Sequence, residues 1–268
     1  MADVDKAFAG AIPALYDRYL GPLLFEPYAG DMAQRLAGME GRILETSAGT
    51  GIVTRALVQT LPASVELVAT DLNQPMLDHA AQKLDASRVM WRQANALSLP
   101  FENDGFDALV CQFGVMFFPD KPAGFAEARR VLKPGGRFLF SVWDRIEDNE
   151  IAAVVSAAVA AAFPDDPPGF MARTPHGYHD TGRVRDDLQK AGFTDIAIET
   201  VTLRSRAATA ADPATGFCQG TPMRLEIEAR DAGRLYEVTD LAAQAIARHF
   251  ADGPIDGKIQ AHVITAMA

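Results

Sequence analysis

A doubly wound α/β fold, with a mostly parallel sheet between layers of helix, is the architecture this sequence predicts. Three observations carry that prediction. The first is an alternation of short apolar runs with helical segments from Gly41 to Trp143. The second is the stretch Ile43-Leu44-Glu45-Thr46-Ser47-Ala48-Gly49-Thr50-Gly51, an apolar run that ends in an acid and then in a loop of small residues. The third is a set of continuous apolar runs, such as Ala108-Leu-Val-Cys111, that suit strands buried on both faces.

Taken in order, residues 1–40 read as helical, with turns at Pro13, Gly21-Pro22 and Pro27. Strands are expected at about 41–47, 65–70, 88–93, 106–113 and 137–143. Helices are expected at 52–61, at 75–85 with Pro75 in the first turn, and at 121–132, where Phe125, Ala128, Val131 and Leu132 share a face. An Ala-rich helix at 151–163 runs into the breaker Pro164-Asp-Asp-Pro-Pro-Gly169. Thr174 to Thr181 is loop-like, Gly182 to Ala191 helical and Phe193 to Leu203 a strand. Residues 206–254 look mostly helical with turn residues at 212–222, and Lys258 to Thr265 reads as a last strand. The implied plan is a helical lid at 1–40, a core at 41–203 with a substrate-side segment at 144–182, a helical insertion at 204–256 and a final core strand at 257–268, all in one domain.

Composition narrows the function. A chain of 268 residues with 49% apolar content can bury a large core. Its formal charge of −10 disfavours nucleic acid, since phosphate binding needs clustered Lys and Arg. Cys111 lies in an apolar strand and only Cys218 accompanies it, so no disulfide framework is expected. The N-terminus carries Asp3 and Asp5 and lacks a signal-peptide plan. Ile151 to Phe163 spans 13 residues, short of the roughly 20 that cross a bilayer. A soluble, cytoplasmic protein is the expectation.

The chemistry concentrates around the first two strands. Small residues let backbone approach a ligand, and a helix start offers free N–H groups. Asp71 stands twenty positions after Gly51, at the tip of the second strand, where a carboxylate can accept two hydrogen bonds from a ribose diol. Together they describe a pocket for an adenosine-bearing cofactor. Gly49-x-Gly51-x-x-Thr54 matches two of the three glycines of a dinucleotide fingerprint, so a nicotinamide-dependent oxidoreductase is one reading. Glu45 within the motif points elsewhere. So do Arg88-Val-Met-Trp-Arg-Gln-Ala-Asn-Ala96, Leu99-Pro-Phe101, Gly105-Phe-Asp-Ala-Leu-Val-Cys-Gln-Phe113 and Val131-Leu-Lys-Pro-Gly-Gly-Arg-Phe-Leu-Phe140.

In this order and spacing these segments resemble the class I S-adenosylmethionine-dependent methyltransferases, close to the menaquinone/ubiquinone-methyltransferase-like branch. The resemblance is dense over residues 40–145. It implies a Rossmann-like seven-stranded sheet whose last strand is antiparallel and inserted between strands five and six. It also implies S-adenosylmethionine as methyl donor, with S-adenosylhomocysteine leaving, and a small-molecule acceptor methylated at O, C or N. Glu45, Ser47, Ala48, Gly49, Gly51, Asp71, Leu72, Met76, Asn95, Ala96 and Gln112 are the expected cofactor contacts. Tyr19, preferred over Tyr16 on the same helical face, would close over the cofactor from the N-terminal helix.

Two departures from the family pattern stand out. Ser47 replaces a usual glycine, and its Cβ requires negative φ or strain. Asn95 replaces a usual aspartate and keeps a carbonyl acceptor. The fourth strand ends Cys111-Gln112 where metal-dependent relatives carry an acid, so no catalytic metal is expected. His176 and His179, in a loop beside Asp180, are candidates for a general base and equally suit a polar hinge. Phe163, Phe170, Met171, Tyr178, Phe217 and Met223 hint at an apolar or aromatic acceptor, and the insertion could serve a homodimer. A protein that binds the cofactor without transferring methyl stays open alongside the oxidoreductase.

Overall fold

The computed structural model describes residues 10–84, 86–251 and 253–268. Seven strands form one sheet: β1 (Arg42–Glu45), β2 (Glu66–Asp71), β3 (Val89–Gln93), β4 (Phe106–Gln112), β5 (Leu132–Trp143), β6 (Thr194–Ala207) and β7 (Ile255–Met267), in the spatial order β3-β2-β1-β4-β5-β7-β6. β1 to β5 pair in parallel, whereas β7 runs antiparallel to both β5 and β6. The inserted antiparallel last strand is therefore present. The chain reverses its direction of winding between β1 and β4, and at such a switch point the strand ends open a crevice for ligands.

Burial follows the sequence pattern. Ala108, Leu109, Val110 and Cys111 are fully buried in β4, as a central parallel strand requires. On one side Phe125, from α5 (Lys121–Val131), meets Phe138 and Phe140 with ring centroids 5.8 and 5.4 Å away. α3 (Ile52–Thr60) and α4 (Gln74–Ala81) follow β1 and β2, both shorter than the sequence suggested. α6 (Glu150–Ala162), α7 (Phe170–Arg173) and α8 (Thr181–Lys190) occupy the segment after β5.

The N-terminal region differs most from expectation. α1 (Ile12–Leu15), a π-type helix (Tyr16–Phe25) and α2 (Glu26–Arg35) run on without the three predicted turns. Pro13 and Pro27 fall in first turns, where a missing N–H costs nothing. Pro22 lies inside the π-type stretch, whose wider pairing, seen in Glu26 N–H donating to Gly21 O, absorbs it. The insertion also departs: α9 (Ala211–Gln219) covers eight of the eleven residues of the predicted turn region and is followed by α10 (Met223–Arg230) and α11 (Leu235–His249). Gly216 reads as a breaker in sequence, yet a Cβ there would lie 2.6 Å from a Leu20 methyl, so this glycine permits close helix packing.

β6 extends four residues beyond its predicted end, to Ala207, because its pairing with β7 continues to Ala207 opposite Ile255. As an edge strand it would present bare carbonyls. The Tyr28 hydroxyl donates to Val201 O at 2.9 Å and Arg185 to Ile196 O at 2.8 Å, which blunts that edge.

Phe125→Ala removes the ring that links α5 to the sheet. It is expected to lower the unfolding free energy by ~3–5 kcal/mol in urea titrations, and a loss under ~1 kcal/mol would deny the cluster its role.

Candidate active site

The C-terminal ends of β1, β2 and β4, with the turn after β3, enclose a cleft of about 900 Å³ including its mouth. Eight of the residues predicted to contact a cofactor line it: Ser47, Gly49, Asp71, Leu72, Met76, Asn95, Ala96 and Gln112. Glu45, Ala48 and Gly51 do not line it, and they lie buried behind the loop. Tyr16 lines the cleft and Tyr19 does not, which corrects the choice between them. The π-type geometry breaks the regular helical face on which that choice rested. Tyr16 instead stacks on Phe25 at 4.7 Å, while Tyr19 lies under Arg18 at 5.1 Å.

Asp71 organises the cleft. Its Oδ2 accepts from Gly49 N–H at 2.9 Å and its Oδ1 from Asn73 N–H at 2.8 Å, so one carboxylate ties the loop after β1 to the turn after β2. Oδ2 keeps a second lone pair for a ribose hydroxyl, while Oδ1 also takes a long bond from Asn73 Nδ2 at 3.4 Å, which a second hydroxyl could displace. Burial pushes its carboxyl above the usual range, against the hydrogen bonds from Asn73 and Gly49. Leu72 beside it is 46% exposed, an apolar surface open to a flat ring. Asn95 turns its Oδ1 to Leu97 N–H at 3.0 Å, which leaves its two amide N–H donors uncommitted to that bond.

On the other side of the cleft, Gln112 donates to Phe25 O at 3.1 Å while its buried Oε1 has no partner among the described residues. An orphaned acceptor at a cleft wall suits a donor on a ligand, such as an ammonium. Gly49 has φ +55°, and a Cβ there would meet nothing within 4 Å, so its bare backbone faces open space. An acceptor for a diol, an apolar ledge for a ring and an acceptor for an ammonium form a donor set that fits an adenosyl amino acid.

Ser47 adopts φ +55°, the strained alternative that its Cβ implies. Left-handed geometry costs a non-glycine residue ~1–2 kcal/mol. The flanking loop enforces it, with Thr46 N–H donating to Val110 O and Ala48 N–H to Thr70 O, both at 2.9 Å. The Ser47 side chain fits because residue 114 is glycine: a Cβ on Gly114 would fall 2.4 Å from Ser47 Cβ and 2.7 Å from Cys111 Sγ. Phe113, at φ +51°, is a second strained residue on this rim and stacks on Trp143 at 3.7 Å.

Glu45 closes β1 and is 2% exposed. Thr54 Oγ1 donates to its Oε2 at 2.6 Å. Burial is the main cause that raises its carboxyl to about 8, with Asp71 adding to it and Thr54 opposing. The N-terminal helix is held over the cleft by Asp17, which pairs with Lys83 and stands 3.6 Å from both Arg55 and His79. Burial raises that carboxyl, and the neighbouring cations outweigh the effect to hold it below its usual range.

His176 and His179, the candidate bases, lie outside this cleft. His176 is 4% exposed, and its Nδ1 lies 2.7 Å from Asp144 O, so that nitrogen carries the proton. Burial lowers its pKa to about 4. His179 Nδ1 reaches His176 O at 2.8 Å. Phe170, Met171, Phe217 and Met223 are buried core residues, and neither they nor Phe163 and Tyr178 line the cleft. The aromatic lining comes instead from Tyr16, Phe113, Phe117 and Phe118. The last three directly follow β4, so the switch-point rule applied past the strand end would have found them. No three His, Cys, Asp or Glu side chains gather for a metal among the described residues, and no helix among them is long and apolar enough to cross a membrane.

Residues 43–136 match a methyltransferase domain family. A demethylmenaquinone methyltransferase of Lactiplantibacillus plantarum is 39% identical over 112 residues, covering 40% of this chain and 47% of that protein. A ubiquinone/menaquinone biosynthesis C-methyltransferase of Proteus mirabilis is 26% identical over 174 residues, covering 60% and 69%. The chain spans about half the length of the first curated relatives it matches. Among solved structures, phosphoethanolamine N-methyltransferase 2 of Haemonchus contortus in complex with S-adenosyl-L-methionine shares the fold, with a TM-score of 0.61 and 16% identity over 95% of this chain and 56% of that one. The YcgJ protein of Bacillus subtilis does likewise, with a TM-score of 0.57 and 21% identity over 89% and 97%.

Two expectations follow from the loop and its buried acid. Gly114→Ala should cost ~1–3 kcal/mol of stability, and in a Ser47→Gly background roughly half of that should return; equal penalties in both backgrounds would mean that the two sites do not touch. For Glu45 the carboxyl is raised in the folded state, from 4.5 to about 8. The unfolded chain therefore releases its proton first, and stability falls as pH rises through that window. Glu45→Gln should flatten the fall in a series of urea titrations from pH 4 to 9. A parallel decline in both proteins would assign the effect to other groups.

Proposed function

We propose that this protein, whose residues 43–136 match a methyltransferase domain family, is a class I S-adenosylmethionine-dependent methyltransferase that transfers the methyl group to a small-molecule acceptor with an aromatic ring. The observation that carries the reading is Asp71, a buried carboxylate that holds the Gly49 loop open and keeps a lone pair for a ribose hydroxyl. Leu72 and Met76 would take the adenine, the Ser47–Gly49 loop the amino acid, and Gln112 Oε1 its ammonium. When bound, the sulfonium supplies an already activated methyl group, so the residues of the chain contribute position and a dry environment more than bond chemistry.

Tyr16, Phe113, Phe117 and Phe118 would form the acceptor wall and exclude water from the line of attack. Tyr16 and Asp71 are the titratable side chains among the residues that line the cleft. Burial, reinforced by Asp71 and Asp17, keeps the Tyr16 hydroxyl protonated, so it donates and does not abstract. Asp71 is committed to the loop. The acceptor would therefore be one whose nucleophilic atom is electron-rich in solution, such as an enolate carbon, a phenolate or a free amine. The C-methyltransferase activity named for the ubiquinone/menaquinone-biosynthesis relative is compatible with a carbon acceptor of this kind. A second reading, cofactor binding without transfer, draws on the strained Ser47 and would show affinity without turnover of any acceptor.

Calorimetric titration with S-adenosylhomocysteine should show micromolar binding by the native chain and none of NAD. Asp71→Ala should weaken that binding at least ~10–100-fold, the worth of one charge-assisted hydrogen bond. Unchanged affinity with a native thermal transition would remove Asp71 from the site. Binding of NAD alone would replace the reading with an oxidoreductase.

A further inference from the structure

Beyond the cleft, α5, the turns after α7 and the start of α8 border a second, open recess of about 550 Å³ including its mouth. Phe118 and Pro119 line both cavities and form their common wall. Lys121, Arg173 and Arg183 line this second space together with Thr174 and Tyr178, and no carboxylate lines it among the described residues. Three cations in one recess are unexpected on a chain of formal charge −10.

The cations are held in place by the fold. Lys121 Nζ donates to Phe118 O at 2.8 Å and Met116 O at 3.2 Å, two neutral acceptors on the loop that separates the cavities. An ammonium has three donors, and these carbonyls use two. Lys121 Nζ and the Arg183 guanidinium stand 4.9 and 5.5 Å from the centre of the Tyr178 ring, which gathers both by cation–π attraction. The Tyr178 hydroxyl is tied to Asp187 Oδ2 at 2.8 Å, so the ring is a fixed platform. Arg173 is oriented by Glu226 at 2.8 Å, and Glu226 is itself held by the N–H groups of Gly169 and Phe170. Asp187 stands 3.9 Å from Arg183 and offsets only part of the local charge. Burial, followed by the Arg183 charge, lowers the Lys121 ammonium to about 8, with the Asp187 carboxylate opposing.

We propose that the cavity of Lys121, Tyr178 and Arg183 is an anion subsite that takes a carboxylate or phosphate group of the methyl acceptor. The assignment of that anion to the acceptor rests on the reading of the neighbouring cleft as a methyltransferase site. The ring would lie against Phe117 and Phe118 and the anionic arm would reach past Pro119. Guanidinium and ammonium together recognise both anions, Arg183 by its planar fork and Lys121 as a point charge.

The test combines two measurements on the full chain, Lys121→Met and Arg183→Gln. Calorimetry uses inorganic phosphate and benzoate as separate probes, with S-adenosylhomocysteine titrated into the same samples. The native protein should bind at least one probe in the millimolar range or tighter. Both variants should lose at least tenfold in that affinity, and in Arg183→Gln, which leaves the Met116–Phe118 loop untouched, S-adenosylhomocysteine should bind as before. Which probe binds distinguishes carboxylate from phosphate. No probe binding by the native protein, or equal binding by Arg183→Gln, whose exposed side chain can be changed without disturbing the core, would overturn the subsite. Radiolabelled methyl transfer to a set of aromatic acceptors with and without an anionic substituent then reads the second half. Transfer should favour the anionic members, and their kcat/KM should fall at least tenfold in Arg183→Gln while that of the neutral members stays unchanged. Preference for neutral acceptors, unaffected by either variant, would overturn the link to methyl transfer. Anion binding without affinity for S-adenosylhomocysteine would leave the subsite standing and sink the methyltransferase reading alone.

Discussion

The hydrogen bonds of the Asp71 carboxylate set the form of the cleft at the strand ends. With one oxygen on Gly49 N–H and the other on Asn73 N–H, this group joins the ends of two neighbouring parallel strands, alongside the single backbone bond from Ala48 N–H to Thr70 O. An ionised carboxylate in such a position is costly to bury, and backbone donors offset that cost. The loop it secures carries the left-handed conformations of Ser47, Gly49 and Gly51, and Gly51 begins α3. Glu45 completes the arrangement from behind, bonded to Thr54 on the same helix. The two acids thus divide the work: Asp71 faces the cleft, and Glu45 braces the helix against the strand.

The rest of the site is built onto that frame. The Asp17 carboxylate draws Lys83, Arg55 and His79 toward the N-terminal helix and so carries Tyr16 to the mouth of the cleft. Gln112 supports the same helix from the sheet through Phe25 O. Behind it, Phe25, Tyr28, Phe113 and Trp143 pack ring against ring, which stiffens the wall where an acceptor would lie. Strain is concentrated on the same rim. Ser47 and Phe113 both hold positive φ, and each is locked by backbone bonds to a neighbouring strand or its end. Strain of this kind persists only where surrounding structure over-determines it, and it accumulates at functional sites.

Charge is arranged in the same economical way. The chain is strongly acidic, yet the recess around Lys121, Tyr178 and Arg183 has no acid in its lining among the described residues. Lys121 also fixes the carbonyls of Met116 and Phe118, so this cation both faces the recess and shapes the loop that bounds the cleft. An anion drawn to Lys121 would therefore act on the cleft wall through two hydrogen bonds.

Periodicity and local chemistry made most of the core legible in the sequence. Apolar runs in β4 and the glycine loop after β1 identify themselves, because a parallel strand buried on both faces and a backbone turned toward a ligand each demand particular residue types. Asp71, Leu72 and Asn95 could be named for the same reason: each sits at a strand end, where position along the chain already determines position in the cleft. The seven-stranded order was not a matter of periodicity, and the resemblance supplied it. Other features could not be read locally. Tyr16 rather than Tyr19 faces the cleft because a π-type helix rotates the side chains. Gly216 is a packing site rather than a turn because Leu20 arrives from 196 residues away. Ser47 is tolerated because Gly114 leaves room for it. His176 is no cleft residue because burial and Asp144 claim it. The sequence by itself determined which segments form strands and where their acids lie, since those depend on neighbours in the chain. Only the tertiary structure decided which side chains share a cavity, since that depends on contacts between elements far apart in sequence.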